Sequence, residues 1–170
     1  LTLLSLLLWP QAAWPSYLAL GAVGINAIRL WGWYTHAVWQ VPLLWVLYSG
    51  YGWLLVGLLL AGLTPFYPPL KILMVHAFTV GGIGVMTLGM MARVTLGHTG
   101  RDMQANRLTS LAFVIINLAA AVRVLAVGLW PSQYAHWING AAGLWVLAFA
   151  LFLWVYGPML WQARVDGRAG

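Results

Sequence analysis

The 170-residue chain is 63% hydrophobic and 6% charged, too poor in polar groups to clothe a water-soluble globule, and a lipid-facing exterior resolves the shortage. Its only carboxylates are Asp102 and Asp166, which excludes paired-carboxylate acid–base chemistry, and with no Cys there is no disulfide, thiolate nucleophile, iron–sulfur cluster or Cys-type zinc site. The net charge of +6 comes from eight basic residues placed singly between apolar runs, a pattern that excludes a nucleic-acid partner and points to the lipid bilayer.

About twenty apolar residues are needed to cross a hydrocarbon core of about 30 Å. Leu1–Trp9 is too short, and with Pro10 and Pro15 bracketing a turn it reads as the tail of a preceding helix. The chain opens on Leu1-Thr2-Leu3-Leu4 without Met or a basic leader, so it reads as one entered partway, with N-terminal helices missing. Full spans are expected from about Trp14 to Trp31, from Val41 to Leu63 with Pro42 in the first turn, and from Pro69 to Leu96. Two more are expected from about Ala105 to Leu129 and from Gln133 to Trp161. The expected architecture is an all-α, polytopic transmembrane bundle of about five full spans plus a partial N-terminal helix, forming one domain over 1–170.

Short connections force neighbouring spans to run antiparallel, which sorts loops to two sides. Arg29, Arg93, Arg101, Arg107, Arg164 and Arg168 fall on the first side, and Lys71 with the deeper Arg123 on the second. The Arg-rich side, with the C-terminus, is expected to be cytoplasmic. Many of the twelve Trp and seven Tyr, including Trp31, Trp39, Tyr67, Trp130 and Trp137, sit near span ends as an interfacial belt.

The same topology sorts the four histidines. His36 and His98 fall near the first face, His76 and His136 near the second. A rise of about 30 Å separates His76 from His98 along one helix, so these two cannot share a metal. All four are candidate metal ligands, although an imidazole at headgroup level is equally explained as a wet polar tip. His76 sits deepest, and ionisable groups inside a span are functional suspects. At 100° per residue, His76, Thr79, Val80, Ile83, Thr87, Met90 and Val94 form one stripe that could border a cofactor pocket. Gly81, Gly82 and Gly89 lie towards the other side, where a second helix can approach. Met90 and Met91 are either soft donors to copper or core fillers. Arg123 is open to two readings, pairing with an anion such as a porphyrin propionate or snorkelling to the interface. Asn26 and Asn117 are suited to hydrogen bonds between helices. The loop Gly97-His98-Thr99-Gly100-Arg101 has glycines for unusual backbone angles and could cap the mouth of a site.

Taken together, His76-Ala77-Phe78-Thr79-Val80-Gly81 and Met90-Met91-Ala92-Arg93-Val94-Thr95-Leu96-Gly97-His98-Thr99-Gly100-Arg101 resemble the signature stretch of the NnrS family. Pro42-Leu43-Leu44-Trp45-Val46-Leu47-Tyr48, Arg123 and the tail Arg164-Val165-Asp166-Gly167-Arg168 resemble it too, from about Arg29 onward, while Ala169 departs from the family's Pro. The resemblance implies a bacterial inner-membrane protein of about twelve spans, of which this chain is the C-terminal part. It implies haem and copper as cofactors, nitric oxide or a related small molecule as partner, and a role in nitrosative-stress resistance, often in denitrification. It marks His76, Arg93, His98 and Arg101 as signature positions, with His76 as the haem-side ligand. Which histidine takes haem and which copper stays open, as does enzymatic conversion of nitric oxide. Two other functions compete, a transporter or channel lined by the Gly-rich helix and Arg123, and a metal-free scaffold subunit. Prolines at helix ends speak against the broken helices of many transporters.

Overall fold

The structure, a computed structural model, describes residues 5, 8 and 12–167. Among these residues the chain is helical throughout, with no strand. Five long helices follow one another: α1 (Trp14–Gly32), α2 (Pro42–Leu63), α3 (Leu70–His98), α4 (Arg107–Leu129) and α5 (Tyr134–Leu160), the last preceded by a 3-10 turn at Pro131–Gln133. A second 3-10 turn, His36–Gln40, joins α1 to α2. In hydrocarbon a chain must satisfy its backbone polar groups within itself, which is why uninterrupted apolar runs become helices.

Among the described residues four helices, α2 to α5, are long and apolar enough to cross a membrane. The expected count of about five full spans plus a partial helix is not confirmed among the described residues. The 19-residue α1 has the length, but Ser16, Asn26, Arg29 and its glycines dilute its apolarity. The helix tail expected over Leu1–Trp9 lies outside the described residues apart from Ser5 and Leu8.

Neighbouring helices run antiparallel, and their ends fall on two sides. At one end Arg93 Nη1 donates to the Leu43 carbonyl (3.4 Å), joining the end of α3 to the start of α2. At this end the tail also meets the α3–α4 loop, Val165 N–H donating to the Thr99 carbonyl (3.2 Å). The α2–α3 and α4–α5 connections lie at the other end, where Trp137 Nε1 donates to the Trp130 carbonyl (3.2 Å).

The core lies between α2, α3, α4 and α5, built from Leu43, Val46, Val85, Leu88, Phe113, Ile116, Phe152 and Tyr156. The glycine side of α3, expected to let a second helix approach, lies close against α2. A Cβ on Gly81 would fall 2.6 Å from Trp53 Cγ, and one on Gly89 would fall 2.7 Å from Val46 Cγ1. Both Asn positions hydrogen-bond between helices. Tyr51 Oη donates to Asn26 Oδ1 between α2 and α1, and Trp53 Nε1 donates to Asn117 Oδ1 (3.1 Å) between α2 and α4. Each amide N–H returns to a carbonyl one turn back, Ala22 and Phe113, at 2.8 Å. A third polar link, Thr109 Oγ1 to Tyr156 Oη (3.1 Å), is buried between α4 and α5.

Candidate functional site

Two departures from regular α-helix occur in the neighbouring helices α3 and α4. In α3 the stretch Ala77–Gly84 is π-helical and begins immediately after His76. In α4 the stretch Val122–Ala126 is π-helical and contains Arg123. A π segment inserts a residue into the α-helical register and re-aims the side chains around it, and such segments recur at functional sites. Here they bring His76 and Arg123 together, Arg123 Nη2 lying 2.7 Å from His76 Nε2. A guanidinium has donors only, so Nε2 is the acceptor and the neutral ring carries its proton on Nδ1. Each residue stands six positions from its helix end, Leu70 for His76 and Leu129 for Arg123. Both are therefore about 9 Å inside the bundle's second face at 1.5 Å per residue.

The other guanidinium nitrogen is less well served. Arg123 Nη1 is buried and has no hydrogen-bond partner among the described residues. Arg123 also lines a cavity of about 300 Å³ on α4 and α5 whose other walls are Val80, Ile138, Ala141, Ala142, Trp145 and Val146. Neither carboxylate of the chain can serve as counter-ion there. Asp102 follows α3 at the opposite end, and Asp166 pairs with Arg164 (2.6 Å) in the tail at that same end.

At the Arg-rich end the signature positions form a clasp. Helix α3 closes with a Schellman motif, in which Arg101 N–H donates to the Leu96 carbonyl (3.0 Å) and Gly100 N–H to the Gly97 carbonyl (3.3 Å). Gly100 takes the left-handed conformation this motif requires, with φ +69°. The other loop glycine, Gly97, belongs to the helix. Arg101 Nη2 donates to Gln162 Oε1 (2.6 Å), and Arg164 Nη1 donates to the His98 carbonyl (2.9 Å). The hydrogen bond from Arg164 to Asp166, followed by the carboxylate's charge, holds the Arg164 guanidinium above its usual value. Of the tail motif, Arg168 lies outside the described residues, as does Ala169.

The structure thus joins two expected site residues, His76 and Arg123, and sets His98, Arg93 and Arg101 at the far end of the same bundle. The side chains of His36, His98 and His136 are exposed and that of His76 is half-buried. Among the described residues no group of three or more His, Cys, Asp or Glu is placed to hold a metal ion. The α3 stripe faces outward: Thr79, Ile83, Thr87, Met90 and Val94 are exposed, and Val80 alone of the stripe turns to the Arg123 cavity. Met86, Met90 and Met91 border a second groove, of about 460 Å³, beside Phe152 and Leu160, with no imidazole in its walls. Sequence reasoning placed His76 and Arg123 on one side without pairing them. Their equal distance from helix ends on that side was the available signal.

Fold and site together define a polytopic helical membrane protein with an arginine–imidazole pair held inside the bundle. The family model described as NnrS protein matches residues 1–164, and the chain belongs to the NnrS family. Comparison with curated proteins and with solved structures found no match.

Proposed function

We propose that this chain serves in the response and resistance to nitric oxide and nitrosative stress, as an NnrS-like protein of the bacterial cytoplasmic membrane. The observation that carries the proposal is the family match over residues 1–164. The four helices among the described residues that are long and apolar enough to cross a membrane support a membrane location. The gathering of Arg93, Arg101, Arg107 and Arg164 at one end supports a cytoplasmic C-terminus, since basic residues concentrate in cytoplasmic loops.

Haem and copper enter through the family alone. Among the described residues no group of three or more His, Cys, Asp or Glu is placed to hold a copper ion, and His76, the haem-side candidate, has its Nε2 engaged by Arg123. An imidazole binds a metal through an unshared ring-nitrogen pair, so ligation through Nε2 requires the bond to Arg123 to break.

The test is growth of the parent strain and a deletion strain under a nitric-oxide donor. Slower growth of the deletion, restored by the intact gene, is the expected result, and equal growth of the two strains refutes the proposal. For the cofactors, the purified product of the intact gene is expected to show a Soret band and stoichiometric copper. Their absence rejects that part of the reading.

A further inference from the structure

We propose that the cavity between α4 and α5 binds a long-chain monocarboxylate, whose acid group meets Arg123 and whose alkyl chain lies on the apolar wall. The inference goes beyond the nitric-oxide reading and does not depend on it.

The first ground is charge. Arg123 is fixed by its 2.7 Å contact with His76, so it is not extended towards water, and its Nη1 is buried without a partner. A guanidinium nitrogen left bare in a low-dielectric site is costly, and an intramembrane cation calls for a partner. His76 accepts one hydrogen bond but brings no negative charge. With Asp102 and Asp166 both at the opposite end of the bundle, no carboxylate among the described residues reaches the guanidinium.

The second ground is the cavity itself. Its volume, about 300 Å³, is at the lower end of the range for small-ligand sites. Val80, Ala141, Ala142 and Val146 offer only hydrocarbon, with the Trp145 ring beside them. A small inorganic anion would satisfy the charge and leave this surface bare, whereas an acid on an alkyl chain satisfies both. Access also favours an amphiphile. Val146 is 60% exposed and Trp145 41%, so the cavity opens on the outer face of α5, whose apolar residues suit an alkyl chain.

The third ground is depth. Arg123 is about 9 Å inside the end of α4, below the level at which a phosphodiester headgroup rests in water. A carboxylic acid can reach that depth uncharged, release its proton to water and remain as the carboxylate on Arg123. A phosphodiester stays ionised throughout and would carry the full cost of burial along its path.

The experiment is equilibrium binding of radiolabelled oleate to the purified full chain in phosphatidylcholine nanodiscs. Saturable binding of one oleate per chain is expected, displaced by unlabelled oleate and not by oleyl alcohol or nitrite. Arg123→Gln is expected to weaken binding about tenfold or more, the worth of one hydrogen bond between charged groups. Ala142→Trp keeps the guanidinium and fills the cavity, and is expected to abolish binding. Equal affinity in Arg123→Gln, or equal displacement by oleyl alcohol, overturns the proposal. Displacement by phosphatidylglycerol at lower concentration than by oleate overturns it in favour of an acidic lipid. Should Arg123→Gln fail to fold, unchanged oleate affinity in Ala142→Trp overturns it alone. The assay reads neither metal content nor nitric-oxide tolerance, so its failure and that of the functional proposal are separable.

Discussion

Replacing His76 by Leu and, separately, Arg123 by Leu should have unequal effects, because the two partners of the 2.7 Å contact differ in what they leave behind. His76→Leu strips the acceptor from Nη2 while Nη1 already lacks one, so the charged end keeps no protein partner. Hydrogen bonds to charged groups contribute about 1.5–3 kcal/mol, and a loss of about 2 kcal/mol is expected. Arg123→Leu instead removes a charge whose placement in a span costs about 2.5–3.5 kcal/mol at the centre, less near an end. It leaves a neutral, half-buried imidazole short of one donor, at a cost of about 1–3 kcal/mol. These terms nearly cancel, so Arg123→Leu should stay within about 1 kcal/mol of the parent. The double variant should resemble Arg123→Leu. Reversible unfolding in mixed micelles, followed by helical circular dichroism with fatty acid removed, measures all three. Equal destabilisation by the two single variants, or a larger loss from Arg123→Leu, refutes the reasoning.

The glycine contacts predict a contrast on neighbouring helices. Gly81→Leu, driven into Trp53, should cost about 1–3 kcal/mol through overpacking. Gly52→Ala, where nothing stands within 4 Å, should be neutral or gain up to about 1 kcal/mol; the same unfolding assay distinguishes them. A double-mutant cycle of Trp53→Phe with Asn117→Leu should return a coupling of about 0.6 kcal/mol, up to about 1.7, as for other hydrogen bonds between membrane helices. Gly100→Ala must strain a φ of +69° and press its methyl group on the Asp166 carboxylate. Faster tryptic cleavage after Arg164 is the expected readout, and an unchanged rate counts against the clasp. The chain has no Cys, so cysteines placed at Gly100 and Tyr67 can be labelled without background. Opposite-side labelling is expected, and same-side labelling would overturn the antiparallel assignment.

Helix boundaries were legible to within a few residues, for a physical reason. An apolar run in lipid has no other way to satisfy its backbone, and Pro42, Asn106 and Pro131 mark starts by rules that act within one turn. Asn106 Oδ1, for instance, accepts from Thr109 N–H at 2.8 Å. That some helix could approach the glycine side of α3 was legible, because a glycine face is a local property of one helix, whereas only the packing showed that the neighbour is α2. Span number was less so, since α1 mixes a spanning length with Asn26 and Arg29.

What only the tertiary structure decided is the meeting of His76 with Arg123. The sequence by itself determined that both lie near one membrane face, because depth follows from counting residues along a helix. It did not determine that two π segments would turn them towards each other, nor that Ala141, Ala142 and Val146 would leave a cavity beside the guanidinium. Helical rotation and register between non-adjacent segments depend on how whole surfaces pack. A stretch such as Val122–Ala126 takes its π form from its neighbours, and nothing in its own residues distinguishes it from ordinary α-helix.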